Sequence, residues 1–261
     1  MAIVVLILAR AVSVLCVLVI ASAVLFDAQV ERLTSGRVPA ESARPLPADE
    51  RIRYADITGV AHNAGDDLGA ATKAAAYGVD AVEIDVRSSG GELLATHDAP
   101  IPGLEDLVFR GPSLVDAWEI ARLRETVLLH LKERSPEYLD QIRRFLETRQ
   151  PRHVIVQSAD PATLRTVQRT MPTVERLLLI LDPEDLAQFH DDPSLQQVID
   201  GVSVRDSLLT RAEQAGFERR GLLTFAWTVN DERRVADLVA QGVDGIITER
   251  LDLMRLLGEQ P

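Results

Sequence analysis

The chain has 261 residues, 46% of them apolar, enough for one large domain with a real core or two small ones. A formal charge of −12 argues against a binder that tracks nucleic-acid phosphates, since that task needs clustered Lys and Arg. A single cysteine, Cys16, rules out an internal disulfide.

In chain order, residues 3–26 come first and are apolar except for Arg10 and two serines. They reach the roughly 20 residues that cross a bilayer, with Arg10 able to snorkel, so residues 1–28 read as a transmembrane anchor. Ala21-Ser22-Ala23 also offers the small residues of a signal-peptide cleavage site. Either reading puts the body outside the cytoplasm, anchored to the membrane or secreted. Residues 29–53, rich in Pro and charge, read as a linker.

From residue 54 to 261, short β-type runs alternate with amphipathic stretches, the pattern of repeated βα units. The runs are 57–61, 81–86, 127–131, 153–157, 176–181, 201–204, 222–228 and 245–248. Between them lie stretches such as PEYLDQIRRFLETR and DERRVADLVAQG, several opened by Asp or Ser and closed by Gly. Eight such units predict an α/β (β/α)8 TIM barrel behind an N-terminal hydrophobic helix. The alternative is a doubly wound open sheet, which the strand count and the lack of a glycine fingerprint after the first strand disfavour.

The ionisable residues fit that barrel. In VEIDV, Val82, Ile84 and Val86 alternate with Glu83 and Asp85, so two carboxylates share the inward face, their Cα atoms about 6.5–7 Å apart. Left unpaired there, both would be costly, whereas one cation could hold both. His62 ends the first strand. His130 and Lys132 share a face of VLLHLK, and His97 follows a hairpin turning at Gly90-Gly91. In a barrel all of these open on the carboxyl-end rim, where chemistry gathers.

Two segments resemble the glycerophosphodiester phosphodiesterases and their barrel relatives, the sphingomyelinase D-like phospholipases. AVEIDVRSSGGELLATHDAP is similar to the family's E-L-D-V…H-D segment, and FAWTVNDERRVADLVAQGVDGIITER to its closing W-T-V-N…G-V-D-G-I-I-T-D segment. The resemblance implies a metal-dependent phosphodiesterase acting on glycerophosphodiesters or lysophospholipids, with His62 and His97 as the catalytic acid/base pair. It implies one divalent ion on Glu83 and Asp85, with His130 at the third ligand position, and Lys132 on the phosphate. Trp227 would line the substrate cleft; Asn63 and Arg205 are further substrate-binding candidates, and Asp98 and Gln157 secondary ones.

Three departures stand out. His62-Asn63-Ala64-Gly65 replaces the family's H-R-G, so the phosphate-binding Arg is missing and Arg205 is the candidate replacement. The P-E-N-T loop is absent, a feature of the sphingomyelinase D branch. His130 stands where a carboxylate is expected; among Mg²⁺, Ca²⁺ and Mn²⁺ an imidazole favours Mn²⁺. The alternative function is a catalytically silent barrel that binds phospholipid headgroups at the membrane.

Overall fold

The computed structural model describes residues 57–99, 111–149 and 153–258. The apolar stretch 3–26 and the linker lie outside them. Among the described residues no helix is long and apolar enough to cross a membrane.

The chain alternates strand and helix. In order the elements are β1 (Thr58–Ala61), α1 (Leu68–Tyr77), β2 (Ala81–Ser89), β3 (Glu92–Ala95), α2 (Leu114–Ala121), β4 (Thr126–Leu131), α3 (Pro136–Arg149), β5 (Val154–Ser158) and α4 (Pro161–Thr170). They continue with β6 (Glu175–Ile180), α5 (Pro183–Asp191), β7 (Gly201–Arg205), α6 (Arg211–Arg219), β8 (Leu223–Trp227), α7 (Glu232–Val239), β9 (Gly245–Thr248) and α8 (Leu251–Gly258). Eight strands pair in parallel in the order β1-β9-β8-β7-β6-β5-β4-β2, and β2 pairs with β1 to close the ring. The barrel expected from the sequence is thus present. β3 stands outside the ring as the antiparallel partner of β2, joined by Gly90 and Gly91, both at positive φ as a two-residue hairpin requires.

Strand limits agree with the sequence reading to within three residues. The fourth barrel strand begins at Val154 rather than His153, whose ring bonds to Thr126 and Glu175. The second runs on to Ser89 because β3 supplies it with a new partner beyond the end of β1.

The helix starts follow from capping. Asp67, Ser113, Asp160 and Asp231 each accept a backbone N–H in the first turn of α1, α2, α4 and α7, satisfying donors the helix itself leaves open.

Alternation along the strands builds two cores. Val82, Ile84, Val86, Val127, Leu129 and Leu131 face the helices and join the large outer cluster. Val60, Ala81, Leu128, Ile155, Leu177, Phe225 and Ile247 fill the barrel interior. Glu83 and Asp85 continue the inward row of Ala81 toward the mouth.

Gly245 leaves room for one interior ring, because a Cβ there would sit 2.3 Å from Phe225 Cδ1. Gly245→Ala is expected to cost roughly 1–3 kcal/mol through overpacking. The check is urea unfolding, with a lower midpoint and an unchanged slope.

Candidate active site

Parallel pairing places the acidic strand beside the basic one. Asp85 lies opposite His130 in the β2–β4 register, and His130 opposite Gln157 in the β4–β5 register. His130 Nδ1 is 2.9 Å from Asp85 Oδ1 and 3.9 Å from Glu83 Oε1, and Lys132 Nζ is 3.0 Å from Asp85 Oδ2. Gln157 donates its amide Nε2 to Glu83 Oε1, and the Asn63 N–H reaches Glu83 Oε2 at 3.4 Å. Glu83 and Asp85 are almost wholly buried.

Burial alone would push the Asp85 carboxyl up, but His130, Lys132 and His97 outweigh it and hold the group well below the usual carboxylate range. Asp85 is therefore an anion at working pH. Both of its oxygens are buried and neither has a partner in hydrogen-bond geometry, so they meet His130 and Lys132 only as ion-pair contacts.

One donor atom each from Glu83, Asp85 and His130 lies within 4.8 Å of the others. Two buried carboxylates and an imidazole converging in this way fit a divalent ion.

The two histidines flank this set. His62 ends β1, its N–H on Thr248 O at 3.0 Å and its ring Nδ1 3.7 Å from Glu249 Oε1. Glu249 is itself held: its N–H donates to Asn230 Oδ1 and its Oε2 accepts from Asn230 Nδ2. Burial pushes the His62 ring down. The nearby Glu249 carboxylate and the charges of Glu83 and Asp85 more than offset it, leaving the net value above the ordinary 6.5.

His97 follows β3. The Arg87 Nε–H donates to its carbonyl at 3.0 Å, and its Nδ1 is 3.2 Å from Asp98 Oδ1. The residue before it, Thr96, donates its N–H to the Asp85 carbonyl at 2.7 Å, which sets His97 beside the same strand end.

Arg205 and Trp227 are cross-strand neighbours on β7 and β8, on the opposite side of the ring from β2 and β4. The guanidinium lies 5.5 Å from the indole centroid, and Trp227 Nε1 donates to Ser203 O at 3.1 Å. On the other flank, an open cavity of about 580 Å³ runs from His130 and Lys132 past Arg134 and Ser158 to Leu179 and Leu181.

Of the residues expected at the site from the sequence, Asn63, Glu83, Asp85, His130, Lys132 and Gln157 are in mutual contact, while His62, His97, Arg205 and Trp227 stand at or just beyond strand ends. The sequence reading missed Asp66, Arg87, Asn230 and Glu249 as supports. Asn230 and Glu249 lie inside the quoted closing segment; nothing in the local pattern marks Asp66 or Arg87.

The profile of the glycerophosphoryl diester phosphodiesterase family matches residues 94–253. The chain belongs to this family. The matched stretch holds His97, His130, Lys132, Arg205 and Trp227, while His62, Glu83 and Asp85 lie before it and are joined to it by the fold.

Bacillus subtilis YhdW, provisionally named a glycerophosphodiester phosphodiesterase, is 26% identical over 100 residues, 38% of this chain and 41% of that protein. The match thus spans about two-fifths of the relative's length. Among solved structures, an Oleispira antarctica phosphodiesterase in complex with the product sn-glycerol-3-phosphate aligns with a TM-score of 0.64 at 18% identity, covering 77% of this chain and 97% of that one. The Thermotoga maritima glycerophosphodiester phosphodiesterase aligns at 0.60 and 20% identity over 77% and 97%. At these identities the structural likeness speaks for the fold that the family shares.

Proposed function

We propose that the protein hydrolyses phosphodiesters of the glycerophosphodiester or lysophospholipid kind. The observation that carries this reading is one barrel mouth holding a Glu83/Asp85/His130 set, Lys132, and two histidines on the strand and hairpin beside it.

A phosphodiester is anionic and hydrolyses very slowly, so a catalyst must neutralise charge, position a nucleophile and protonate the leaving oxygen. Glu83, Asp85 and His130 would hold a divalent ion, which as a Lewis acid draws charge from a phosphoryl oxygen. Lys132 adds a point charge, and its anchor on Asp85 keeps the ammonium in place for a phosphate oxygen. His62, half-buried and backed by Glu249, keeps its proton to higher pH than a free imidazole, which suits it to protonate the leaving oxygen. His97 then takes the proton from the attacking hydroxyl. Where that hydroxyl belongs to the substrate, attack is intramolecular, gains from high effective molarity and yields a cyclic phosphate.

Arg205, held over Trp227 across the mouth, would supply a phosphate-facing cation in place of the Arg that Asn63 displaces. Leu179 and Leu181 give the cavity beside Lys132 an apolar flank, which favours a substrate carrying an acyl chain. The apolar stretch 3–26 supports a body held at, or released from, the outer face of a membrane.

The deciding experiment incubates the full chain and Mn²⁺ with glycerophosphocholine, lysophosphatidylcholine, lysophosphatidylglycerol and sphingomyelin in turn, followed by phosphorus NMR. Turnover of a lysophospholipid, with a cyclic phosphate signal, is expected. Turnover of glycerophosphocholine alone keeps the enzyme and removes the lipid preference. No turnover with metal bound favours the silent headgroup binder.

A further inference from the structure

We infer that Asp66 is a positioning residue of the metal centre: its side-chain oxygen stands in for a missing strand at the backbone of Asp85 and so sets where the Asp85 ligand oxygens lie. This rests on reading Glu83, Asp85 and His130 as metal ligands.

The need for such a residue follows from the topology. β1 pairs with β2 only through Val60↔Ala81 and Ala61↔Val82 and then ends, while β2 runs on to Ser89. On the edge that β1 vacates, β3 takes over only from Val86. Asp85 falls in the gap. Its carbonyl accepts from the Thr96 N–H at 2.7 Å, and its own N–H has no strand to meet. Asp66 Oδ1 accepts that N–H at 2.8 Å. Without it a buried backbone donor at the centre of the site would be unsatisfied, and such groups are rare because they cost about as much as a lost hydrogen bond.

The turn that carries Asp66 is shaped to reach this point. Asn63 takes a left-handed conformation, φ 48°, and starts a short 3-10 turn, Ala64–Asp66, that folds back on β2. Gly65 presses so closely on the strand that a Cβ there would lie 2.3 Å from Ile84 Cγ1 and 2.8 Å from the Glu83 carbonyl oxygen. The same turn directs the Asn63 N–H at Glu83 Oε2. One four-residue turn thus braces both acidic ligands, one through its side chain and the other through its backbone. The first turn after β1 departs from the family's H-R-G at this place, so the brace accompanies the loss of the Arg.

Only one oxygen of Asp66 is used. Oδ2 is buried without a hydrogen-bond partner, so the role needs an acceptor at the Oδ1 position rather than a negative charge. Asparagine offers the same acceptor at the same reach, alanine offers none, and glutamate moves the acceptor by one methylene.

The test titrates Mn²⁺ alone into the full chain by calorimetry, in the wild type and in Asp66→Asn, Asp66→Ala and Asp66→Glu, with the thermal midpoint of each metal-free protein measured alongside. Asp66→Asn is expected to bind Mn²⁺ like the wild type. Asp66→Ala should bind about 10–100-fold more weakly, the loss typical when a residue supporting a metal ligand is removed. Asp66→Glu is expected to show the same loss and serves if the alanine variant does not fold. Unchanged affinity in Asp66→Ala and Asp66→Glu, with only the thermal midpoint lowered, would overturn the inference. So would an asparagine variant as weak as the alanine one, since an acceptor at that position would then not be what matters. A wild type that binds no Mn²⁺ would instead remove the metal reading on which the inference rests.

Discussion

His62→Ala and His97→Ala are each expected to lower kcat by roughly 10²–10⁴-fold, the range supplied by a general acid or base. Mn²⁺ affinity should hardly change, because neither ring belongs to the Glu83/Asp85/His130 set. Steady-state kinetics with a parallel metal titration separates the two quantities, and full activity in either variant would remove the role given to that histidine. The pH dependence distinguishes the pair. A proton donor must be protonated, and the His62 value lies above 6.5, so the alkaline limb of kcat/KM should fall at a pH above that figure. In Glu249→Gln the neighbouring charge is gone, the His62 value drops, and the limb should move toward acid. An unmoved limb would mean that His62 is not the donor. The same raised value contributes stability that is complete below about pH 6.5 and is lost as the pH rises through the folded value.

Chelation is the second large effect expected. Removing the divalent ion should abolish turnover, and Mn²⁺ should restore it better than Mg²⁺, because hard Mg²⁺ prefers an all-oxygen shell and His130 contributes a nitrogen. His130→Glu should reverse the order. The substitution also removes the ring that sits 2.9 Å from Asp85, leaving Lys132 as the charge partner of that carboxylate, so the variant gains an oxygen ligand and loses a competing ion pair together. Calorimetric affinities for both ions in both proteins give the preference directly. A ratio unaffected by the substitution would take His130 out of the ligand set.

The barrel was legible in the sequence because its signals are local. Period-two runs such as VEIDV and VLLHL, Asp and Ser caps, and the Gly90-Gly91 turn each occupy a few consecutive residues, and repetition of βα units leaves few ways to close them. The principal site residues were legible for a related reason. A charge on an otherwise apolar strand face, as at Glu83, Asp85, His130 and Lys132, stands out against its neighbours, and a barrel puts every such face on one rim.

The supports were not legible in that way. Asp66 sits in an ordinary polar turn, Arg87 near a hairpin, and Asn230 and Glu249 in loops, where such residues are common for reasons of solvation alone. Their roles come from partners far along the chain: Asp66 and Asp85 are 19 positions apart, and His62 and Glu249 meet only because β1 pairs with β9. The direction of the His62 shift is likewise a tertiary property, a balance between burial and the charges that closure of the ring brings to its side. Residue type and periodicity determined which groups face the mouth. Which of them hold one another in place was decided by where β1 stops, how closely Gly65 lets its turn approach β2, and which strand ends the closed sheet sets side by side.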